Sequence, residues 1–341
     1  MTTKTKKIAI GVATALLVVI SVALLQWAPL FISGARSSGW VMVHHDSSID
    51  AVTDSIATNV DKTFAGRVAR AFGLLRYRSI SRDGAYYITA GDTPLDVARR
   101  IRNRQQTPIR FTFNNVRTKQ QFARLYGEKF LAGSEAMLDA LNDSALVDSL
   151  GYTVDNVMCA LLPDSYEFYW TTPPATMLQR LATARDRFWT DNRRAKATAL
   201  GLTPNEVQII CSIVEEETAK SDERPVVARL YINRVQRHMP LQADPTVKFA
   251  LGDFSIRRLT IPMTRVESPY NTYRIAGLPP GPIRLCEKST IDGALDAPQH
   301  DYLYMCAKED FSGYHNFAHD LATHQANARR YQAALNARNI H

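Results

Sequence analysis

The spacing of hydrophobic and polar positions changes several times along this chain. Residues 8–34 carry no charge, and Lys4, Lys6 and Lys7 stand just ahead of them. About 20 apolar helical residues span a bilayer, so 8–32 reads as a transmembrane helix. Lysines on its leading side place residues 1–7 in the cytoplasm and the bulk of the chain across the membrane. Ser33 and Ala35 could mimic a cleavage site, but the apolar part of a signal peptide is usually shorter, about 7–15 residues.

Past the anchor, "YYITAGDTPLDVARRIRNR" (86–104) predicts a strand, a turn at Gly91-Asp92 and a helix. Thr93 suits the N-cap and Pro94 the first helical position. "TPIRFTFNN" (107–115) alternates apolar and polar residues as a strand does. "VMVHHDSSIDAV" (41–52) repeats the strand–turn–helix pattern loosely. Taken together, 39–150 resembles a LysM module, a small glycan-binding unit, in an extracytoplasmic region. Residues 134–157 read as helical with breaks at Asn142 and Asp143, and "LLPDSYEFYW" (161–170) as extended. From Ala175 onward the spacing is mostly helical, interrupted by a Pro- and Gly-rich stretch at 258–285. Structured loops of that length are usually functional.

One helix stands out. In "TPNEVQIICSIVEEET" (203–218), Thr203, Pro204 and Glu206 form a start signal with a capping box. Val207, Ile210, Cys211 and Val214 make one apolar stripe. Three glutamates close it. At about 100° per residue, Glu216 points away from the stripe into solvent, while Glu215 and Glu217 flank it. A carboxyl group at the edge of a core is partly desolvated and can stay protonated near neutrality, as a general acid must. Helix geometry alone leaves Glu215 and Glu217 as equal candidates.

Composition narrows the picture little. The chain has 341 residues, 45% hydrophobic, with a net charge of +8. This suits two or three globular domains and an anionic partner. A nucleic-acid partner does not suit the topology, because most of the chain would face away from the DNA. Cys159, Cys211, Cys286 and Cys306 have no CxxC spacing and read as buried small hydrophobes. No metal or cofactor is expected: His315 and His319 fall on a turn or strand, where an HxxxH pair cannot share a helix face.

The ordered segments "SIVEEET", "ERPVVARLYINR", "LQADPTV", "SPYNTY", "GLPPGPI", "YLYMCAK" and "YHNF" with a following histidine resemble the endolytic murein transglycosylase family, MltG (YceG-like). The likeness covers about 160–335. It implies an α+β fold: an N-terminal transmembrane helix, the LysM-like α/β module, and a mainly helical catalytic domain at 158–341 with an extended-strand and loop insertion. It implies a lytic transglycosylase, a lyase that cuts the MurNAc-GlcNAc bond inside nascent peptidoglycan strands and leaves 1,6-anhydro-MurNAc ends. One glutamate serves as acid and then base, and the resemblance matches it to Glu215. Glu217, Gln242, Asp244, Tyr270, Asn271, Thr272, Tyr273 and His315 are the implied substrate-binding set. Implied partners are glycan strands, the inner membrane through the N-terminal helix, and peptidoglycan synthases, with the bulk of the chain on the periplasmic side. Two other readings stay open: an anchored glycan-binding scaffold without activity, and a hydrolytic muramidase with Asp244 as its second carboxylate.

Overall fold

The computed structural model describes residues 3–79 and 82–338. Residues 1 and 2 of the expected cytoplasmic tail and 339–341 of the expected catalytic domain lie outside the described residues, as does the side chain of Lys4. The helix Thr3–Trp27 is followed by a short turn of helix, Pro29–Ile32. Large apolar side chains such as Ile10, Leu17, Val19 and Leu25 are exposed along it. Over Lys6–Ile32 it is long and apolar enough to cross a membrane.

The chain divides into two compact units: residues up to Arg110 together with Glu167–Thr172, and Phe111–Tyr166 together with the rest. In the first unit, Gly39–Val43 and Gly84–Ile88 pair antiparallel, with Val41 opposite Tyr86. Helices Ile49–Asn59, Lys62–Leu74 and Pro94–Arg102 accompany them. Alternation in the strands and helical spacing in the helices send Val41, Ile56, Val68, Phe72, Ile88 and Leu95 into one core. The expected turn is present. Gly91 has φ +97°, a conformation that suits glycine. The Asp92 carboxylate accepts the Thr89 N–H at 2.8 Å, and Thr93 caps the next helix by accepting the Asp96 N–H.

The second unit is mainly helical. The expected break near Asn142 is a cap: Asp143 Oδ1 accepts the N–H groups of Ala145 and Leu146, which starts the helix Ser144–Ser149. The glutamate helix runs Pro204–Glu217 with the capping box in place. Its apolar stripe lies in the main core with Val227, Leu230 and Ile232 of the helix Arg224–Gln236 and with Ile291 of the helix Lys288–Leu295. Two polar residues are buried with it. Gln208 receives hydrogen bonds from Arg185 and Trp189 and donates to the Cys159 carbonyl. Ser212 accepts the Ile283 N–H at 3.1 Å. That bond ties the 258–285 stretch to the helix. The stretch has little regular structure beyond a 3₁₀ turn at Met263–Arg265. Cys159, Cys211 and Cys286 are buried and Cys306 half-buried, all as free thiols.

Candidate active site

Three carboxylates at a helix C-terminus repel one another and face the negative end of the helix dipole. Each meets a different environment. Glu216, expected in solvent, is half-buried and held by two arginines. Arg117 donates to both of its oxygens, at 2.9 and 3.0 Å, and Arg284 donates to Oε1 at 3.0 Å.

Glu215 is deeper, with a side chain only 1% exposed. Its Oε1 accepts the Glu287 N–H at 2.7 Å and the Thr290 hydroxyl at 2.6 Å. Arg284 Nε lies 3.4 Å from Oε2, and Arg224 Nη1 lies 3.7 Å from Oε1. Both arginines face its charge, while Oε2 is buried with no hydrogen-bond partner among the described residues.

Glu217 is the remaining one. Among the described residues no lysine or arginine forms an ion pair with it. The Tyr231 hydroxyl donates to its Oε1 at 2.8 Å. Burial, with smaller contributions from Asp244 and Glu216, pushes its pKa from 4.5 to about 7, although the Tyr231 hydrogen bond and the charge of Lys248 pull the other way. Near neutral pH it therefore exchanges a proton readily.

Glu217 opens onto a cleft of about 360 Å³. Tyr231 and Arg234 share its wall, with Gln242, Asp244 and Tyr273 from the following loop and helix start. The rest comes from the paired strands Tyr304–Ala307 and His315–Ala318 and from the last helix, Leu321–Ala337, through Tyr304, Cys306, His315 and His324.

Arg234 organises one wall. It is 6% exposed and donates to the carbonyls of Pro240 and Leu303 and to Gln242 Oε1, all at 2.8–2.9 Å. Because the guanidinium takes the amide oxygen, the amide nitrogen of Gln242 is left to donate. Gln242 holds a left-handed backbone, φ +50°, which costs energy for a side chain with a Cβ. Its N–H bonds the Thr272 carbonyl at 3.0 Å. Asp244 accepts the Tyr273 hydroxyl at 2.5 Å, and this bond pushes the phenol pKa up further after burial has raised it.

Glu217, Gln242, Asp244, Tyr273 and His315 thus share one cleft. The other expected site residues do not line it. Tyr270 packs on Phe249 with ring centroids 4.8 Å apart. Asn271 is fully buried and donates to the carbonyls of Thr264 and Val266. Thr272 accepts the Ala243 N–H and meets the Thr246 hydroxyl at 2.8 Å. These three shape the loop that carries Gln242. Glu215 is likewise outside the cleft.

Tyr231, Arg234 and Tyr304 line the cleft without having been singled out for it, and His324, the histidine that follows "YHNF" in the resembling segments, lines it too. One sign was available for the first two. Tyr231 and Arg234 stand three apart in the helix segment "ARLYINRV", which places them on one helix face. Of the histidines, His315 donates or accepts through Nδ1 at 2.8 Å from Glu223 Oε2. His324 stacks on Tyr304, and His319 pairs with Asp320.

Comparison with known proteins gives a consistent picture. The YceG-like family matches residues 41–330. An endolytic murein transglycosylase of Bacillus subtilis is 28% identical over 222 residues, covering 64% of this chain and 59% of its own length. One from Streptococcus pneumoniae is 28% identical over 202 residues, covering 57% of this chain and 36% of its own length. A crystal structure of a YceG-like protein of Listeria monocytogenes aligns with a TM-score of 0.56 at 24% identity, covering 86% of this chain and 99% of that one. That likeness speaks for the fold.

Proposed function

This chain belongs to the YceG-like family, and we propose that it is an endolytic lytic transglycosylase acting on peptidoglycan glycan strands, with Glu217 as its acid. The reading rests above all on Glu217, which holds a proton near neutrality on the wall of a polar cleft. The resemblance in sequence matched the acid to Glu215. The geometry favours Glu217 instead, since Glu215 is paired with Arg284 and Arg224 and is not among the residues that line the cleft. Glu215 then serves to hold the helix end.

In this mechanism Glu217 protonates the glycosidic oxygen through Oε2, since Tyr231 occupies Oε1. The C1–O bond breaks while the substrate's own N-acetyl group stabilises the positive charge at C1, and the C6 hydroxyl of the same N-acetylmuramic acid then attacks C1 from the face the leaving group vacated. The product is a 1,6-anhydro sugar, and the O6 proton leaves to a base in the cleft. No water nucleophile is required, so the second carboxylate of an ordinary glycosidase is not needed. The amide nitrogen of Gln242 and the Asp244–Tyr273 pair supply polar contacts for sugar hydroxyls and the N-acetyl group.

The wider layout follows as part of the same reading. Residues 8–32 anchor the chain in the inner membrane and 158–341 carry the catalysis on the periplasmic side. The 39–150 region acts as a LysM-like spacer or glycan grip, and the chain works beside peptidoglycan synthases. Digesting purified glycan in ¹⁸O-labelled water tests the chemistry. Products lighter by one water and free of label support it. Labelled reducing ends would make the protein a muramidase, a reading that Asp244 in the same cleft keeps open.

A further inference from the structure

Glu223 and His315 are hydrogen-bonded to each other, and His315 lines the cleft wall. Glu223 precedes the helix Arg224–Gln236, where the positive end of the dipole favours a negative charge, and it is 5% exposed. One of its oxygens accepts the His315 backbone N–H at 2.7 Å, and the other lies 2.8 Å from His315 Nδ1. The carboxylate thus fixes both the strand and the ring.

This grip sets the tautomer. A carboxylate only accepts, so Nδ1 carries the hydrogen, and the neutral ring presents Nε2 as a lone pair. No partner for Nε2 exists among the described residues, and the ring lines the same cleft as Glu217. The arrangement repeats the logic by which a buried acid orients a histidine as a base. His324, the other cleft histidine, lacks such a grip: its Nδ1 is buried without a partner.

We propose that His315 Nε2 is the base that takes the O6 proton, with Glu223 as its positioning residue, so that the two proton transfers belong to two groups. The inference rests on the transglycosylase reading above. The O6–H bond breaks, its proton goes to Nε2, and its electron pair forms the O6–C1 bond. The C1–O bond to the leaving sugar breaks, its pair stays on that oxygen, and the Glu217 proton joins it. His315 then returns its proton to Glu217 through solvent, with nothing oxidised or reduced.

The test varies the leaving group. The substrates are purified glycan strands and a nitrophenyl glycoside of an N-acetylmuramic acid oligomer, whose phenolate departs without a proton. The proteins are full-length wild type, Glu217→Gln, His315→Asn and His315→Gln. Asn can still donate to Glu223 from the Nδ1 position, and Gln keeps an amide near the Nε2 position, so a folding defect in one leaves the other to report. On strands both His315 variants should lose about 10²–10⁴-fold in kcat with KM little changed. On the nitrophenyl glycoside Glu217→Gln should recover most of its rate, while the His315 variants stay slow. Three results overturn the proposal: full kcat for the His315 variants with anhydro products still formed, a loss confined to KM, or recovery of the His315 variants on the nitrophenyl substrate. A wild-type product carrying a hydroxyl from water overturns the transglycosylase reading itself, and product mass tells that failure from the others.

Discussion

Replacing Glu217 by Gln should make the protein more stable above neutral pH while removing its activity. In the folded chain the carboxyl titrates near 7, against 4.5 when unfolded. A raised folded-state pKa means that the folded state binds more protons between those two values, so stability is fully present below about 4.5 and is lost as pH rises through about 7. The gap of about 2.5 units corresponds to roughly 3 kcal/mol, spent on holding a desolvated carboxylate above neutrality. An amide does not titrate, and its oxygen can still accept from Tyr231 in the same space. Glu217→Gln should therefore match wild type in urea unfolding at pH 4.5 and exceed it by up to roughly 3 kcal/mol at pH 8.5. Glycan cleavage by the variant should fall by about 10²–10⁴-fold at every pH, and the wild-type rate should decline on the alkaline side as the acid loses its proton near 7. The full-length protein in detergent serves for both measurements. Two outcomes refute the argument: a stability gap independent of pH, or a Gln variant that still cleaves strands.

Glu215→Gln should behave in the opposite way. Removing one charge from a buried ion pair usually costs about 3–5 kcal/mol, and the loss here should lie toward the low end, since Arg284 keeps Glu216 and Arg224 keeps Glu287 and Thr290. The variant should melt well below wild type yet retain cleavage when assayed beneath that temperature, and a stable but inactive protein would return the acid role to Glu215. For the anchor, protease added to spheroplasts should digest the bulk of the chain and leave it membrane-bound through 8–32. A soluble product starting near Arg36 would show a cleaved leader instead.

Much of the local structure was legible in the order of residues. Thr93, Pro94 and Gly91 mark a turn and a helix start through properties of their own backbones and side chains. Thr203 and Glu206 satisfy the first amides of the glutamate helix within three residues. The 3.6-residue stripe from Val207 to Val214 places one face in the core regardless of what covers it. The uncharged run at 8–32 is likewise a local property. The helix that carries the proposed acid also stood out, because three adjacent carboxylates after an apolar stripe need an explanation wherever they occur.

Which of those carboxylates opens onto the cleft was decided only by the tertiary structure. Helical geometry put Glu215 and Glu217 symmetrically about the stripe. Their environments then diverged through partners remote in sequence. Arg284 and Arg224 converge on Glu215, and Arg117 and Arg284 on Glu216, while Glu217 was left with the Tyr231 hydroxyl on the wall of the polar cleft. The same holds for the loop at 258–285, where Tyr270, Asn271 and Thr272 turn inward and Tyr273 turns out. A pKa depends on the sum of desolvation and charge within several ångströms, and that sum is assembled by chain segments about 70 to 100 residues apart. Nothing in the spacing of three glutamates carries that information, since it is the fold that brings the arginines to two of them and withholds one from the third.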